Sequence, residues 1–346
     1  MAHPSPVHPT HPLLDIRDSI CAPSSTLAAS AYVSLWAGYL KSRSGTDHGR
    51  FACCHQTVHS RDAVAADVAC KTVICWDTGM ETLELAEGTL GFDDTGGDGR
   101  RVVAAPGMGD TRQVYRHLIP EMVARGIRIA TLDLRGMGDS SVSWPDYSDA
   151  VLGSDMLALV HHLDAGPAVL VGNSLTAASA VIAAVEEPEA LAGLVLIGPF
   201  ARNVPQPGWQ KVLFRATLSP PWGRSAWTSY YRKQMYPGTK PPDHDSYVAA
   251  LDTNLSEPGR YKAFHALAFN SHAESEAKLE SVGCPSLVVM GTADPDFPDP
   301  EAEARDLSQI LGGDLLLVEG AGHYPQAQNP VEVAEAIASF IAAFDA

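Results

Sequence analysis

A serine on a predicted tight turn has the clearest chemical potential in this sequence. Ser174 lies between a short apolar run, residues 168–171, and an alanine-rich segment with the composition of a helix. Gly172, two residues earlier, has no side chain that would obstruct a sharp turn. A serine hydroxyl is a useful nucleophile when its backbone holds it out of a sheet and a base stands beside it. The sequence therefore predicts a candidate nucleophile at a strand-to-helix junction.

The turn departs from the Gly-x-Ser-x-Gly form at its last position, which is Thr176. We expect this side chain to shift the following helix slightly or to narrow the cleft beside Ser174, because helix and strand crowd together there. Serine before a helix is also a common N-cap, since its hydroxyl accepts a hydrogen bond from a free backbone N–H. The pentapeptide alone leaves both roles open.

The elements that must position this serine are visible from Met80 onward, where apolar runs alternate with amphipathic stretches as in a βαβ protein. The later apolar runs are continuous, as expected for strands covered by helices on both faces. We predict an α/β fold with a doubly wound, mostly parallel sheet. The predicted strands lie near 82–86, 101–105, 127–132, 168–171, 194–197, 286–290 and 314–318. The predicted helices lie near 112–125, 150–164, 175–185, 301–311 and 330–344.

This alternation breaks between Asn203 and His272, a stretch that holds eleven of the 25 aromatic residues and several prolines. We predict that residues 203–272 form an inserted helical lid, and that 80–202 and 273–346 form the core. For any single aromatic, packing within the insert's own small core is the simpler role. Together they favour an apolar cleft between lid and sheet.

Charge limits the classes of partner. The protein has 346 residues and a formal net charge of −17, and an acidic surface repels phosphate groups. We therefore expect a small-molecule substrate and neither nucleic acid nor a membrane as partner, and the oligomeric state stays open. All of the net charge lies after position 79, because residues 1–79 contain six basic and six acidic side chains.

Residues 1–79 differ from the rest in other respects. They contain no glutamate, whereas residues 80–346 contain sixteen, and they hold five of the six cysteines. They also lack sustained helical or strand periodicity. We expect them to lie outside the fold, either as a disordered extension or as an upstream stretch wrongly included in the translation.

Neither a membrane segment nor a metal site is predicted in this early part. Residues 19–40 are uncharged, but they contain five serines and a proline, which disfavours a transmembrane helix. No compact apolar region with a cleavage pattern is evident, so we expect a cytoplasmic protein rather than a secreted one. The cysteines include no Cys-x-x-Cys pair, which is the usual spacing of zinc ligands.

Four further segments follow the order of a known family. They are Gly-Met-Gly-Asp at 107–110, the D-x-R-G-x-G-x-S pattern at 133–140, Gly-Thr-Ala-Asp at 291–294 and Gly-His-Tyr at 322–324. Each follows a predicted strand. With the serine turn, they make residues 80–346 resemble the α/β-hydrolase superfamily, in its lidded branch of serine esterases and lipases.

The resemblance implies a catalytic triad and an oxyanion hole. Ser174 would be the nucleophile, His323 the base and Asp294 the acid that orients the imidazole, in the chain order of this fold. Asp296, in the same loop, is the alternative acid, and a loop so rich in Asp and Pro could also only cap the next helix. The backbone N–H groups of Met108 and Leu175 would form the oxyanion hole.

The function implied is that of a serine hydrolase that needs no metal or organic cofactor. It would cleave a small to medium, largely apolar carboxylic ester or lactone through an acyl-enzyme. The aromatic lid and the lack of a basic cluster favour an uncharged substrate. A C–C bond hydrolase, a perhydrolase or an amidase with the same triad is an alternative. A slow-turnover ligand receptor or regulator with this fold is an alternative of another class.

Overall fold

The computed structural model describes residues 80–164, 166–204 and 207–345, so the expectations for residues 1–79 lie outside it. The described strands form one sheet flanked by helices. In chain order the strands are β1 (Glu81–Leu85), β2 (Gly88–Asp94), β3 (Arg101–Ala105), β4 (Arg128–Leu132), β5 (Ala168–Asn173), β6 (Leu191–Ile197), β7 (Ser286–Gly291) and β8 (Asp314–Val318).

Helices connect most of these strands. They are α1 (Leu118–Ala124), α2 (Asp149–His162), α3 (Leu175–Glu186), α4 (Gly208–Thr217), α5 (Gly223–Lys233), α6 (His244–Ser256), α7 (Arg260–Leu267), α8 (Ala273–Lys278), α9 (Pro300–Leu311), α10 (Pro325–Gln328) and α11 (Pro330–Asp345). Short 3-10 turns lie at Arg112–Tyr115, Pro188–Ala190 and Leu279–Ser281. Among these helices, none is long and apolar enough to cross a membrane.

The strand order in the sheet is β1-β2-β4-β3-β5-β6-β7-β8. The strands from β4 to β8 in this order run parallel, and β1 and β2 are antiparallel additions at one edge. The predicted α/β class with a doubly wound, mostly parallel sheet is confirmed. Because parallel strands end at one edge, the loops after β3, β5, β6, β7 and β8 meet there, and we call this edge the carboxyl edge.

Two local features differ from the sequence-based expectation. Strand β2 was not predicted, because its Gly88, Gly91 and paired aspartates have low strand propensity. The helix predicted over 112–125 is instead a 3-10 turn followed by α1. Pro120 explains the break, since it has no N–H for a bond one turn back and is tolerated only in the first turn of a helix.

Helices α4 to α7 occupy the interval that the sequence predicts as the lid. Several of its aromatic side chains are buried, among them Trp227, Tyr231 and Phe264. Helix α4 is different, because Trp209 and Leu213 expose 66% and 58% of their surface. The aromatics of this interval therefore divide between packing inside the fold and lying on its surface.

The loop after β4 is anchored by buried ion pairs around one arginine. The Arg112 guanidinium lies 2.8 Å from Asp93 and 2.9 Å from Asp139, and it also pairs with Asp133. Asp133 is fully buried and accepts a further hydrogen bond from the Arg112 backbone N–H at 2.7 Å. This cluster gives the D-x-R-G segment a structural role, since it joins the β4 loop to β2 and to the turn after β3.

Replacing Arg112 with methionine would leave the buried Asp133 carboxylate without its positive partner. We expect Arg112→Met to lower the free energy of unfolding by about 3–5 kcal/mol, measured by urea denaturation. Arg305→Met is the control, because the pair of Arg305 with Glu301 is largely exposed and should contribute less than about 1 kcal/mol. Equal losses in the two variants would contradict the role given to the buried cluster.

Candidate active site

Ser174 lies on a strained turn between β5 and α3. Its backbone has φ 57° and ψ −120°, a region that side-chain-bearing residues rarely adopt. Its N–H donates to the carbonyl of Ile197 at 2.9 Å, and its carbonyl accepts from Phe200 at 3.1 Å. At Gly172 a side chain is excluded, because a Cβ there would lie 2.4 Å from the carbonyl oxygen of Thr176. The end of β6 and the segment that follows it therefore hold the backbone of the serine in this conformation.

Thr176, where the motif departs from glycine, bonds the turn to the adjacent strand. Its buried hydroxyl lies 2.9 Å from the Ala105 carbonyl at the end of β3 and 3.0 Å from the Asn173 carbonyl. It also accepts the Asn173 N–H at 2.9 Å. A glycine could make none of these bonds, so the threonine is built into the turn.

His323 and Asp294 meet at the carboxyl edge. His323 follows β8, Asp294 follows β7, and Nδ1 of the imidazole lies 2.7 Å from Oδ2 of Asp294. Both side chains are buried. The loops after β7 and β8 approach each other so closely that a Cβ at Gly291 would lie 2.2 Å from the Gly322 carbonyl oxygen. Asp296 lies farther from the same nitrogen, at 3.6 Å, so the geometry favours Asp294 as the partner of the imidazole.

The other nitrogen of His323 is left without a bond. Nε2 is buried and has no hydrogen-bond partner among the described residues. Gly198, one residue after the Ile197 carbonyl that binds the Ser174 N–H, packs on the ring, and a Cβ there would lie 3.2 Å from Nδ1. Ser174 and His323 thus flank the end of β6, and no hydrogen bond joins them in this structure. Catalytic hydrogen bonds of this kind often tighten only when substrate binds.

The loop after β3 runs directly beside Ser174. We call residues 106–110 the Gly107 loop; a Cβ at Gly107 would lie 2.8 Å from Cβ of Ser174. Met108 and Leu175, the predicted oxyanion donors, line the same cavity as the serine. The structure therefore places Ser174, Met108 and Leu175 on one cavity, while Asp294 and His323 form a bonded pair at the same carboxyl edge.

The contacts of the aspartate at the end of the Gly107 loop were not predicted from the sequence. Asp110 is fully buried and accepts hydrogen bonds from Tyr231 at 2.6 Å, from Tyr247 and from the Thr111 N–H at 2.8 Å. Burial raises the pKa of Asp110, and the bonds from both tyrosines oppose that rise. The concentration of tyrosines in the lid was the only sequence signal, and it does not say which carboxylate they reach.

A cavity of about 680 Å³ is lined by residues of the carboxyl edge and of the interval 203–272. Its volume is in the range of small-molecule sites, roughly 300–1,000 Å³. Most of its wall is apolar, and two cations of α4, Lys211 and Arg215, also line it. The cavity wall also includes Met108, Leu175, Phe200, Trp227, Tyr230 and Tyr324.

The electrostatic setting of His323 favours its protonated form. Burial alone would lower the pKa of His323, but the nearby carboxylates of Asp294 and Asp296 outweigh burial and raise it. Burial also raises the pKa of Asp296, which the charge of a protonated His323 opposes. The imidazole is therefore a stronger base than an unperturbed histidine.

The side chains of Asp294, Asp296 and His323 each offer one atom that could bind a metal ion, and these atoms lie within 4.8 Å of one another. The bond between His323 Nδ1 and Asp294 Oδ2 already uses two of the atoms that a metal ion would need. Asp296 accepts a hydrogen bond from Tyr230. Both aspartates and Nδ1 of His323 therefore already take part in hydrogen bonds.

The model of the alpha/beta hydrolase family matches residues 102–336. The chain belongs to this family. Membership supports a hydrolase role, and the bonded Asp294–His323 pair at the serine turn agrees with it.

Individual relatives resemble the same part of the chain. The probable esterase D14L of Oryza sativa subsp. japonica is 28% identical over 254 residues, 68% of this chain and 89% of that protein. The Karrikin insensitive 2 receptor CA of Petunia hybrida is 25% identical over 247 residues, 66% of this chain and 87% of that protein. A thermophilic esterase from Thermogutta terrifontis shares the fold with TM-score 0.65 at 23% identity, covering 77% of this chain and 99% of that one.

Thr176→Val removes the hydroxyl with little change of shape and leaves the Asn173 N–H unpaired in a buried site. We expect the free energy of unfolding to fall by about 1–3 kcal/mol, measured by thermal or urea denaturation. Thr176→Ser keeps the hydroxyl and is the matched control, with a smaller loss. If the valine variant is as stable as the serine variant, the hydroxyl does not hold the turn.

Proposed function

We propose that this protein is a serine hydrolase that cleaves a small to medium carboxylic ester or lactone through an acyl-enzyme. The observation that carries the proposal is the buried Asp294–His323 hydrogen bond, which leaves Nε2 of His323 unbonded at the sheet edge that also carries the strained turn of Ser174. The similarity to a protein named as a probable esterase supports the same reaction class.

In this mechanism Nε2 of His323 takes the proton of Ser174 as its oxygen attacks the carbonyl carbon. The negative charge that develops on the carbonyl oxygen is stabilised by the N–H groups of Met108 and Leu175. His323 then gives the proton to the leaving alkoxide, and the ester bond breaks. A water molecule, deprotonated by the same imidazole, attacks the acyl-enzyme and regenerates the serine. Asp294 stabilises the imidazolium in both halves.

The cavity supports a largely apolar substrate, because most of its wall is apolar and aromatic. Lys211 and Arg215 line its α4 wall, so a substrate panel should pair neutral esters with carboxylate-bearing analogues of equal length. A small-molecule partner and a cytoplasmic location stay predictions from the sequence. C–C bond cleavage, peracid formation and amide hydrolysis use the same residues and are the alternatives to test on the same panel.

The second candidate function is that of a ligand receptor with slow turnover. It is favoured by the similarity to a protein named as a receptor, at a coverage close to that of the probable esterase. Reaction of Ser174 with a fluorophosphonate without turnover of any ester or lactone in the panel would support it. Rapid multiple turnover of one substrate would exclude it.

Ser174→Ala should remove acyl transfer and leave the fold intact. We expect kcat for a chromogenic ester to fall by roughly four orders of magnitude or more, and fluorophosphonate labelling to disappear. Ser179→Ala is the matched control, because Ser179 lies on α3, the helix that follows Ser174, is fully buried and has an unbonded hydroxyl within the described residues. Full activity in Ser174→Ala would place the nucleophile elsewhere.

Activity should fall as the pH drops, because a protonated His323 cannot accept the serine proton. For an unperturbed histidine the midpoint would be near pH ~6.5. Since Asp294 and Asp296 raise the pKa of His323, we expect the acidic limb of kcat/KM to have its midpoint above that value. Initial rates on a neutral ester between mildly acidic and alkaline pH test this. A midpoint at or below the unperturbed value would contradict the electrostatic setting described for the imidazole.

A further inference from the structure

A second carboxylate lies beside the imidazole of His323. Oδ2 of Asp296 is 3.6 Å from Nδ1, the atom that Asp294 already binds at 2.7 Å. The two aspartates differ in surroundings, because the Asp294 side chain is fully buried and the Asp296 side chain is 18% exposed and lines the cavity. The Asp296 carboxylate, which lies beside the bonded pair, is therefore part of the cavity wall.

Asp296 is held from two directions. Its backbone N–H donates to Oδ1 of Asp294 at 3.0 Å, which fixes both carboxylates in one loop. Its Oδ1 accepts a hydrogen bond from the hydroxyl of Tyr230, a residue of lid helix α5 that lines the same cavity. Removal of this tyrosine would leave the carboxylate facing the cavity without its lid donor.

We propose that Asp296 is a positioning residue for His323, that Tyr230 keeps it in place, and that the seating of helix α5 thereby controls how readily His323 accepts a proton. The consequence for catalysis rests on the function proposed above. The contact itself does not, since it follows from the distances among the three side chains.

The proposed effect on His323 has its physical basis in two negatively charged carboxylates, Asp294 and Asp296, that lie beside one imidazole. A carboxylate within a few ångströms favours the imidazolium, and two carboxylates favour it more than one. The hydrogen bond from Tyr230 favours the ionised form of Asp296 against the effect of burial. The other ionisable groups that bear on this cluster are Asp110, whose charge also raises the pKa of His323, and Tyr324, whose ring packs edge-on against the imidazole.

Helix α5 is suited to couple the lid with the carboxyl edge. Tyr231, the next residue along it, bonds Asp110 of the Gly107 loop at 2.6 Å. Consecutive tyrosines of one helix thus contact two loops of the site. A shift of α5 that breaks the Tyr230 contact would free Asp296 to turn into the cavity, and His323 would lose part of its basicity.

The direct test is an NMR titration of the His323 imidazole in the ligand-free full chain, with its signal identified by its loss in His323→Gln. Asp296→Asn keeps the shape and the acceptor for Tyr230 and removes only the charge. We expect it to lower the titration midpoint by about one pH unit, a tenfold change in the proton dissociation constant. We expect Tyr230→Phe to lower the midpoint in the same direction by a smaller amount.

Tyr261→Phe is the control for the loss of a lid hydroxyl, because Tyr261 donates to the Leu218 carbonyl at 2.6 Å, within the lid. It should leave the His323 midpoint unchanged. An unchanged midpoint in Asp296→Asn would overturn the role of the second carboxylate. An unchanged midpoint in Tyr230→Phe would overturn the role of the lid. Because the titration needs no substrate, neither result depends on the wild-type chain hydrolysing an ester.

Kinetics separate positioning from the role of triad acid. At a pH on the wild-type plateau, Asp294→Asn should reduce kcat by roughly 10³- to 10⁴-fold, because the imidazole loses its orienting partner. Asp296→Asn should stay within about tenfold of wild type there, with its acidic limb moved to lower pH. A loss in Asp296→Asn as large as that in Asp294→Asn would overturn the proposal, since Asp296 would then be the acid.

Discussion

The backbone of Ser174 is the constraint on which the rest of the site depends. A side-chain-bearing residue at φ 57° is strained, by about 1–3 kcal/mol for such conformations, and persists only where its surroundings fix it. Here β5 is paired on both sides, Ala105 of β3 facing Gly172 and Ile197 of β6 facing Asn173. The central position of β5 is thus what makes the turn possible.

The carboxyl edge is stabilised by residues of the predicted lid, 203–272, as well as by the sheet. The backbone N–H of His323 donates to the carbonyl of Met235 at 3.0 Å, and Tyr231 and Tyr247 donate to the buried Asp110. A buried carboxylate without donors would be costly, so these tyrosines are required for Asp110 to sit there. Residues 203–272 therefore contribute bonds to two loops of the site and also line the cavity.

The sequence predicted the features set by local pattern and missed those set by distant partners. The bounds of β3 and β8 agree with prediction because both are continuous apolar or mixed runs with clear ends. The structure brings the predicted Ser174, Asp294 and His323 to one edge, since parallel topology fixes where strand ends meet. Asp110 and its tyrosines are more than a hundred positions apart, and no local spacing encodes such a contact.

The choice between Asp294 and Asp296 shows the same limit at short range. Asp294 and Asp296 lie in one loop, two residues apart. The backbone of this turn places the Asp294 carboxylate inward, 2.7 Å from Nδ1 of His323, and the Asp296 carboxylate toward the cavity, 3.6 Å from the same nitrogen. The inward carboxylate is bonded to Nδ1 of His323 and to the Asp296 N–H, both of which lie outside the interval 203–272. The outward one depends on Tyr230, so lid position and the protonation of His323 are linked equilibria. By reciprocity, protonation of the imidazole must then favour the seated lid as strongly as the seated lid favours protonation.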